Sequence, residues 1–237
     1  MMPVLVIASG AAIWTLALSA VVHGTFIYAI IAPSALWFGP VVTHFVTDKN
    51  ELWLTIDDGP DGENTLTLAQ ELAQRKVPAT FFVIGDRLVK NLEVARAVVA
   101  LGHSLANHTQ THPVKMFWAL WPSRLRAEIT QCSAVLEQAG VRTQHWFRAP
   151  FGLKHVRLHR LLARLGMRLV AWNIRGKDGL VCEPEKVVPR VLEQVAPGSI
   201  ILLHEGHPRS LETILRVIQK LQERGYSFVI PADEQLR

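Results

Sequence analysis

The sequence predicts an α/β fold, a (β/α) barrel of about seven strands preceded by a hydrophobic helical membrane anchor. Three observations carry that expectation. Residues 3–46 contain no Lys, Arg, Asp or Glu. From Asp48 onward, short β-branched and aromatic runs alternate with helical patterns, the arrangement that builds a parallel sheet. The most reactive polar residues fall at or just after the C-terminal ends of those runs, the face on which barrel sites are assembled.

The anchor comes first. Of the 237 residues, 49% are hydrophobic and 19% charged, and the apolar excess is concentrated before Asp48. Residues 1–47 therefore read as an anchor of one or two helices, and 48–237 as a folded domain. Pro3 to Val22 has about the length needed to cross a bilayer core. Thr25 to Val46 is as long but contains Pro33, Gly39 and Pro40. Nothing basic precedes the apolar run and no small-residue cleavage site leads into the domain, so a retained anchor is expected rather than a secretory signal. It would be one crossing with a re-entrant piece, or a hairpin around His23-Gly24. A hairpin with a bare N-terminus returns the domain to its starting side, which favours a cytoplasmic-facing domain at the cell membrane. Only Lys49 informs the positive-inside rule.

The strands expected are Leu52–Asp57, Ala79–Ile84, Ser104–Asn107, His145–Arg148, Leu169–Asn173, Ser199–His204 and Tyr226–Ile230. Helices fit between them: Thr65 to Arg75 with Asn64 as cap, and Leu92 to Leu101 before Gly102. Others fit Ser123–Gln138, Val156–Leu165, Pro184–Val195 and Ser210–Arg224. The formal net charge of +5 favours an anionic neighbour, but no nucleic-acid motif accompanies it. Cys132 and Cys182 lack metal spacing and read as core residues.

The chemistry starts at Thr55-Ile56-Asp57-Asp58-Gly59-Pro60. Adjacent carboxylates closing an apolar strand are costly unless they bind or catalyse something, and Gly-Pro marks a turn there. In Asn107-His108-Thr109-Gln110-Thr111-His112-Pro113, histidines four apart lie on one face of a helical turn and can share a metal. One Asp would complete a two-histidine, one-carboxylate site, and the other would be free to take a proton. Arg148-Ala149-Pro150-Phe151-Gly152 adds a fixed positive charge and a rigid turn. Ile200-Ile201-Leu202-Leu203-His204 ends an apolar strand in a titratable group.

These motifs, in this order, resemble the polysaccharide deacetylase family with the NodB-type homology domain, carbohydrate esterase family 4-like, over about Leu52 to Ile230. The resemblance implies a distorted (β/α) barrel and hydrolysis of an N-acyl, chiefly N-acetyl, amide on an amino sugar. It implies that Asp58, His108 and His112 bind a divalent metal, zinc first, with cobalt, manganese, nickel or iron as alternatives. Asp57 would be the general base, oriented by Arg148, and His204 the general acid. The Phe151 N–H would help hold the oxyanion. Asp178 fits the residue that partners the catalytic histidine. Two departures alter the pocket: Gly179 stands where the family usually carries Trp, and Phe151 replaces the commoner Tyr.

The aromatic run Met116-Phe117-Trp118-Ala119-Leu120-Trp121-Pro122 follows the histidine motif, and Trp118, Trp121, Pro150 and Phe151 are the expected substrate contacts. Lys154, Arg157, Arg160, Arg164 and Arg168 form a basic stripe suited to anionic headgroups. With the anchor, this favours a membrane-proximal or lipid-linked glycan and contact with membrane lipids. A polymeric cell-wall or chitin-like glycan is the alternative substrate. From other classes, a non-haem iron oxygenase shares the two-histidine, one-carboxylate set but needs neither the second Asp nor His204. A non-catalytic, membrane-bound sugar-binding protein needs neither the base nor the acid.

Overall fold

The computed structural model describes residues 3–140 and 145–237. A parallel sheet curls around an apolar interior in the order β5-β4-β3-β2-β1-β7-β6. Its strands are β1 Glu51–Gly59, β2 Ala79–Val83, β3 Ser104–Asn107, β4 Trp146–Phe147, β5 Arg168–Leu169, β6 Ile174–Arg175 and β7 Ile200–His204. An eighth, β8 Ser227–Phe228, pairs with the start of β1. The sequence expectation of a run from Leu169 to Asn173 is corrected here: β5 ends at Leu169, Val170 makes only an isolated bridge to Val42, and a separate β6 begins after Asn173. Among the described residues β5 and β6 do not pair, so the barrel stays open at that seam.

Helices follow the strands. They are α2 Glu63–Gln74, the single turn α3 Gly85–Leu88, α4 Leu92–Ala100, α5 Pro122–Gln138, α6 Leu158–Arg164, α7 Pro184–Leu192 and α8 Ser210–Glu223. The N-cap of α2 is Gly62, and Asn64 lies inside the helix with its amide on Asp61 Oδ2 (3.0 Å). Gly62 takes that place because its φ of 54° is a backbone conformation that glycine adopts without steric cost.

Alternation along β1 divides the core. Leu52, Leu54 and Ile56 pack outward under the helices with Leu68, Leu72 and Ile218. Trp53 faces inward with Phe82, Trp146, Phe147 and Leu202. Thr55 and Asp57 belong to that same inward-facing set, because strand residues two apart share a face. This periodicity places a carboxylate inside the barrel mouth.

The first element, α1, is one continuous helix, Pro3–Ile31. It runs straight through His23-Gly24, so the hairpin considered there does not form. Gly24 has no neighbour to force a turn, and His23 Nδ1 is bonded to the Ser19 carbonyl one turn back (2.7 Å). Ala12–Ile31 is long and apolar enough to cross a membrane. The second apolar stretch is not a helix beyond Ile31. Its end packs into the domain: Val41, Val42 and Phe45 are buried, Val42 bridges Val170, His44 bridges Ser199, and Phe45 bridges Leu236. Residues 42–45 thus reach from the end of β5 to the start of β7.

Candidate active site

The two adjacent carboxylates face one cleft because the strand is bulged between them. Asp57 pairs with Phe82 of β2 and Gly59 with Val83, so Asp58 is skipped. Asp58 has φ 77°, which breaks the strand alternation that would otherwise turn it away. The Gly59-Pro60 peptide is cis. A Cβ at Gly59 would lie 1.7 Å from Glu205 Oε1, so any larger residue would have to displace that buried carboxylate.

The histidine pair corrects another expectation. His108 and His112 are not on a helical turn; they belong to a loop that leaves β3, with positive φ at Thr109 (72°) and His112 (54°). Several buried contacts hold the loop. Asn107 Oδ1 accepts from the Thr109 N–H (2.9 Å). Buried Glu128 on α5 accepts from the Thr111 N–H and hydroxyl, both at 2.8 Å. The first two N–H groups of α3 donate to the carbonyls of Thr109 and Gln110, while Arg87 from the same turn donates to the Asp58 carbonyl (2.7 Å). The short helix α3 therefore ties the Asp loop to the His loop.

The result is a compact donor set. His112 Nε2 lies 3.3 Å and His108 Nε2 3.5 Å from Asp58 Oδ1. All three ligand atoms lie within 4.8 Å of one another. Buried Asp58 Oδ1 has no hydrogen-bond partner, which is costly unless something else completes it. His108 Nδ1 donates to the Arg148 carbonyl (2.9 Å). A carbonyl can only accept, so the lone pair is left on Nε2, facing Asp58. One carboxylate and two imidazoles with open positions suit a divalent cation such as zinc, and these residues fit one.

The charges are strongly coupled. Burial would raise the Asp58 pKa, but the attraction of His108, then His112 and His204, outweighs it and holds the carboxyl below its ordinary range. Burial likewise opposes charge on His108, yet Asp57 and Asp58 draw its pKa upward. The same attraction is available to a cation, which competes with that proton for Nε2. His112 goes the other way, down to about 4, through burial and the charge of His108. Treatment with a chelator is expected to abolish hydrolysis, and added zinc or cobalt to restore it. The check is acetate release against metal content by mass spectrometry, with His112→Ala as a variant that is not restored.

Asp57 is held from behind. Arg148 Nη1 donates to Asp57 Oδ1 (2.7 Å) and to Thr55 Oγ1 (2.8 Å), Nε to the Val170 carbonyl (3.2 Å) and Nη2 to the Ala171 carbonyl (2.9 Å). The guanidinium is fully buried, 4.0 Å from the Phe82 ring centre. Across the cleft, Asp178 accepts from His204 Nδ1 (3.0 Å) and from the His204 N–H (2.6 Å). Burial opposes charge on His204, but the hydrogen bond and charge of Asp178, then Asp57 and Asp58, raise its pKa.

The cleft, about 80 Å³, is lined by Asp57, Asp58, His108, His112, Phe151 and His204. Phe151 is 52% exposed with φ 56°. The N–H groups of Gly152 and Leu153 turn back to Ala149 and Pro150, whereas that of Phe151 makes no such bond. Pro150 is buried beneath it. The expected Trp contacts are placed elsewhere: the 3₁₀ turn Phe117–Ala119 buries Phe117 and leaves Trp118 45% and Trp121 81% exposed, outside the cleft lining. Sequence reasoning passed over Trp172, Arg175, Lys177 and His207, which do line it. Their signal was faint, because Trp172, Arg175 and Lys177 lie in or beside the two-residue β6 and His207 lies in the loop after β7. Gly179 leaves the face of His204 bare, since a Cβ there would sit 3.5 Å from the ring.

Fold and site match those of α/β-barrel hydrolases acting on N-acetyl amide bonds, as the comparisons with known proteins show. The chain belongs to the polysaccharide deacetylase family, whose profile matches residues 45–170. It is 33% identical to a chitooligosaccharide deacetylase of Bradyrhizobium sp. (strain ANU 289), over 79% of this chain and 86% of that protein. It is 28% identical to a peptidoglycan-N-acetylglucosamine deacetylase of Bacillus cereus, over 77% of this chain and 67% of that one. Among solved structures, a family 4 carbohydrate esterase from Streptomyces lividans in complex with acetate superposes with a TM-score of 0.71. Its identity is 27%, covering 82% of this chain and 97% of the other.

Proposed function

We propose that this chain removes an N-acyl group, acetyl first, from an amino sugar held at a membrane surface, using a divalent cation bound by Asp58, His108 and His112. The observation that carries the reading is the convergence, on one cleft, of that donor set with Asp57 on one flank and His204 on the other. A divalent ion in such a site polarises a carbonyl and lowers the pKa of water.

The chain's own residues supply the proton transfers. Asp57 Oδ1 is occupied by Arg148, so Oδ2, which lies 3.6 Å from His108 Nε2, is the oxygen that takes a proton from the attacking water. His204 Nδ1 is occupied by Asp178, so the proton delivered to the leaving amine is the one on Nε2. The Phe151 N–H, which makes no backbone hydrogen bond, would donate to the oxygen that gains charge. Because the pKa of His204 is raised, it keeps its acidic proton to higher pH than a free imidazole. Activity should therefore fall as pH rises through that raised value. Asp178→Asn removes the charge that raises it, and the alkaline limb of the kcat profile should move to lower pH; an unmoved limb would exclude His204 as the acid.

Membrane proximity is supported by how α1 ends. The Lys154 N–H donates to the Ile30 carbonyl (2.9 Å), its Nζ donates to the Ala32 carbonyl, and Pro33 packs on Gly152. The apolar helix thus terminates on the loop that carries Phe151. Beside it, Leu36 and Trp37 are exposed, and Phe38 shares a surface cavity with Arg157, Arg160 and Arg164. Apolar and cationic groups side by side suit a lipid surface with anionic headgroups. Lys154 itself is buried against Ala32 and leaves the basic stripe. The full-length protein in lipid nanodiscs should deacetylate a lipid-linked N-acetylamino sugar with higher kcat/KM than a soluble chitooligosaccharide. A preference for the soluble polymer would favour the cell-wall or chitin-like alternative.

A further inference from the structure

We propose that Arg175 and Lys177 form an anion subsite at the rim of the cleft, and that the amino sugar carries a phosphate there. The inference rests on the deacetylase reading and names its substrate more closely. Both residues line the cleft with His204 and Gly179. Arg175 closes β6, in register with Leu202, two residues before His204. Its guanidinium lies 5.7 Å from the centre of the Trp172 ring, and its Nε is buried without an acceptor.

No carboxylate among the described residues pairs with Arg175 or Lys177, and Arg175 differs from the other unpaired arginines in having a buried Nε without an acceptor. The acidic groups of the cleft are already engaged: Asp57 by Arg148, Asp58 by the two imidazoles, and Asp178 by His204. A buried guanidinium nitrogen lacking an acceptor is costly, and a phosphate oxygen is the acceptor that best matches its planar fork. Lys177 lines the same cleft, exposed, with a backbone φ of 58°. Gly179 lines the same cleft, and a Cβ there would lie 3.5 Å from the His204 ring. A substrate whose amide reaches Asp58 and His204 would then have its anionic substituent beside Arg175.

The test uses the full-length, zinc-loaded protein in detergent. Three probes are compared: methyl N-acetylglucosaminide, N-acetylglucosamine 1-phosphate, and N-acetylglucosamine on a polyprenyl diphosphate. The phosphorylated sugars should show a KM about 10-fold or more below that of the neutral glycoside, the scale of a charge-assisted contact. In Arg175→Gln/Lys177→Gln the KM values should converge, and Arg175→Lys should recover part of the difference. A gain seen with both phosphorylated probes assigns the subsite to the phosphate itself, and a gain with the diphosphate lipid alone to a lipid-linked phosphate. Equal KM values in the unmodified protein, or a preference that survives the double variant, would overturn the proposal. If no probe is hydrolysed, the deacetylase reading fails separately. Titration calorimetry with N-acetylglucosamine 1-phosphate then decides the subsite: binding weakened in the double variant supports it, and absence of binding rejects it.

Discussion

Asp57→Asn is expected to lower kcat by about 10²–10⁴-fold, the usual contribution of a positioned acid or base, while leaving metal content unchanged. Asparagine keeps the shape of the side chain and an oxygen for Arg148 Nη1, but it cannot accept a proton from water. The proposed ligands Asp58, His108 and His112 are other residues, so the cation should remain. Metal analysis beside single-turnover acetate release checks both halves. Turnover equal to that of the parent would refute the base assignment. Loss of metal together with turnover would show instead that Asp57 belongs to the ligand set, a geometry that its 3.6 Å approach to His108 makes worth testing.

Arg148→Met should destabilise the fold more than any change at the surface. Asp57 and Arg148 are both buried and joined at 2.7 Å. Removing one partner leaves the other as an uncompensated charge, at a cost of about 3–5 kcal/mol. For a domain of this size that corresponds to a fall in Tm on the order of 10 °C, measurable by circular dichroism. Adding Asp57→Asn to Arg148→Met removes the stranded charge and should recover part of the loss, a non-additivity expected of residues in contact. An additive double variant would mean that the pair is not coupled.

The contrast between what could be read from the chain and what could not has physical causes. Strands β1, β2 and β7 were legible because each carries β-branched or aromatic residues in an apolar run of five or more residues, and β3, Ser-Leu-Ala-Asn, because it lies between the Gly102 that ends a helix and the histidine motif. The open seam was not, because β5 and β6 have two residues each and their pairing is decided by distant neighbours such as Val42 and Leu202. Asp57, His108, Arg148 and His204 stood out since costly polar residues at or just after the ends of apolar strands need a purpose, Asp58 and His112 by their spacing from Asp57 and His108, and Asp178 by its place in the family resemblance. How the two histidines meet was misread: a four-residue spacing suggests a helical turn, but Asn107 and Glu128 bond the loop backbone into left-handed conformations at Thr109 and His112. Trp118 and Trp121 follow the histidine motif in sequence, yet burial of Phe117 sets the turn and sends both rings outward. Helix α3, only four residues long, has no periodicity to betray it, although it binds the two metal-site loops together.

The strap between Lys154 and the carbonyls of Ile30 and Ala32 sets a practical rule for anyone wishing to trim the protein for crystallisation. Cutting at Asp48, where charged residues begin, would strip away Val42 and Phe45, bare the seam beside β5, and release the turn bearing Phe151. A start just before Ala29 would discard most of the greasy rod while keeping its last turn as a peg in the catalytic rim.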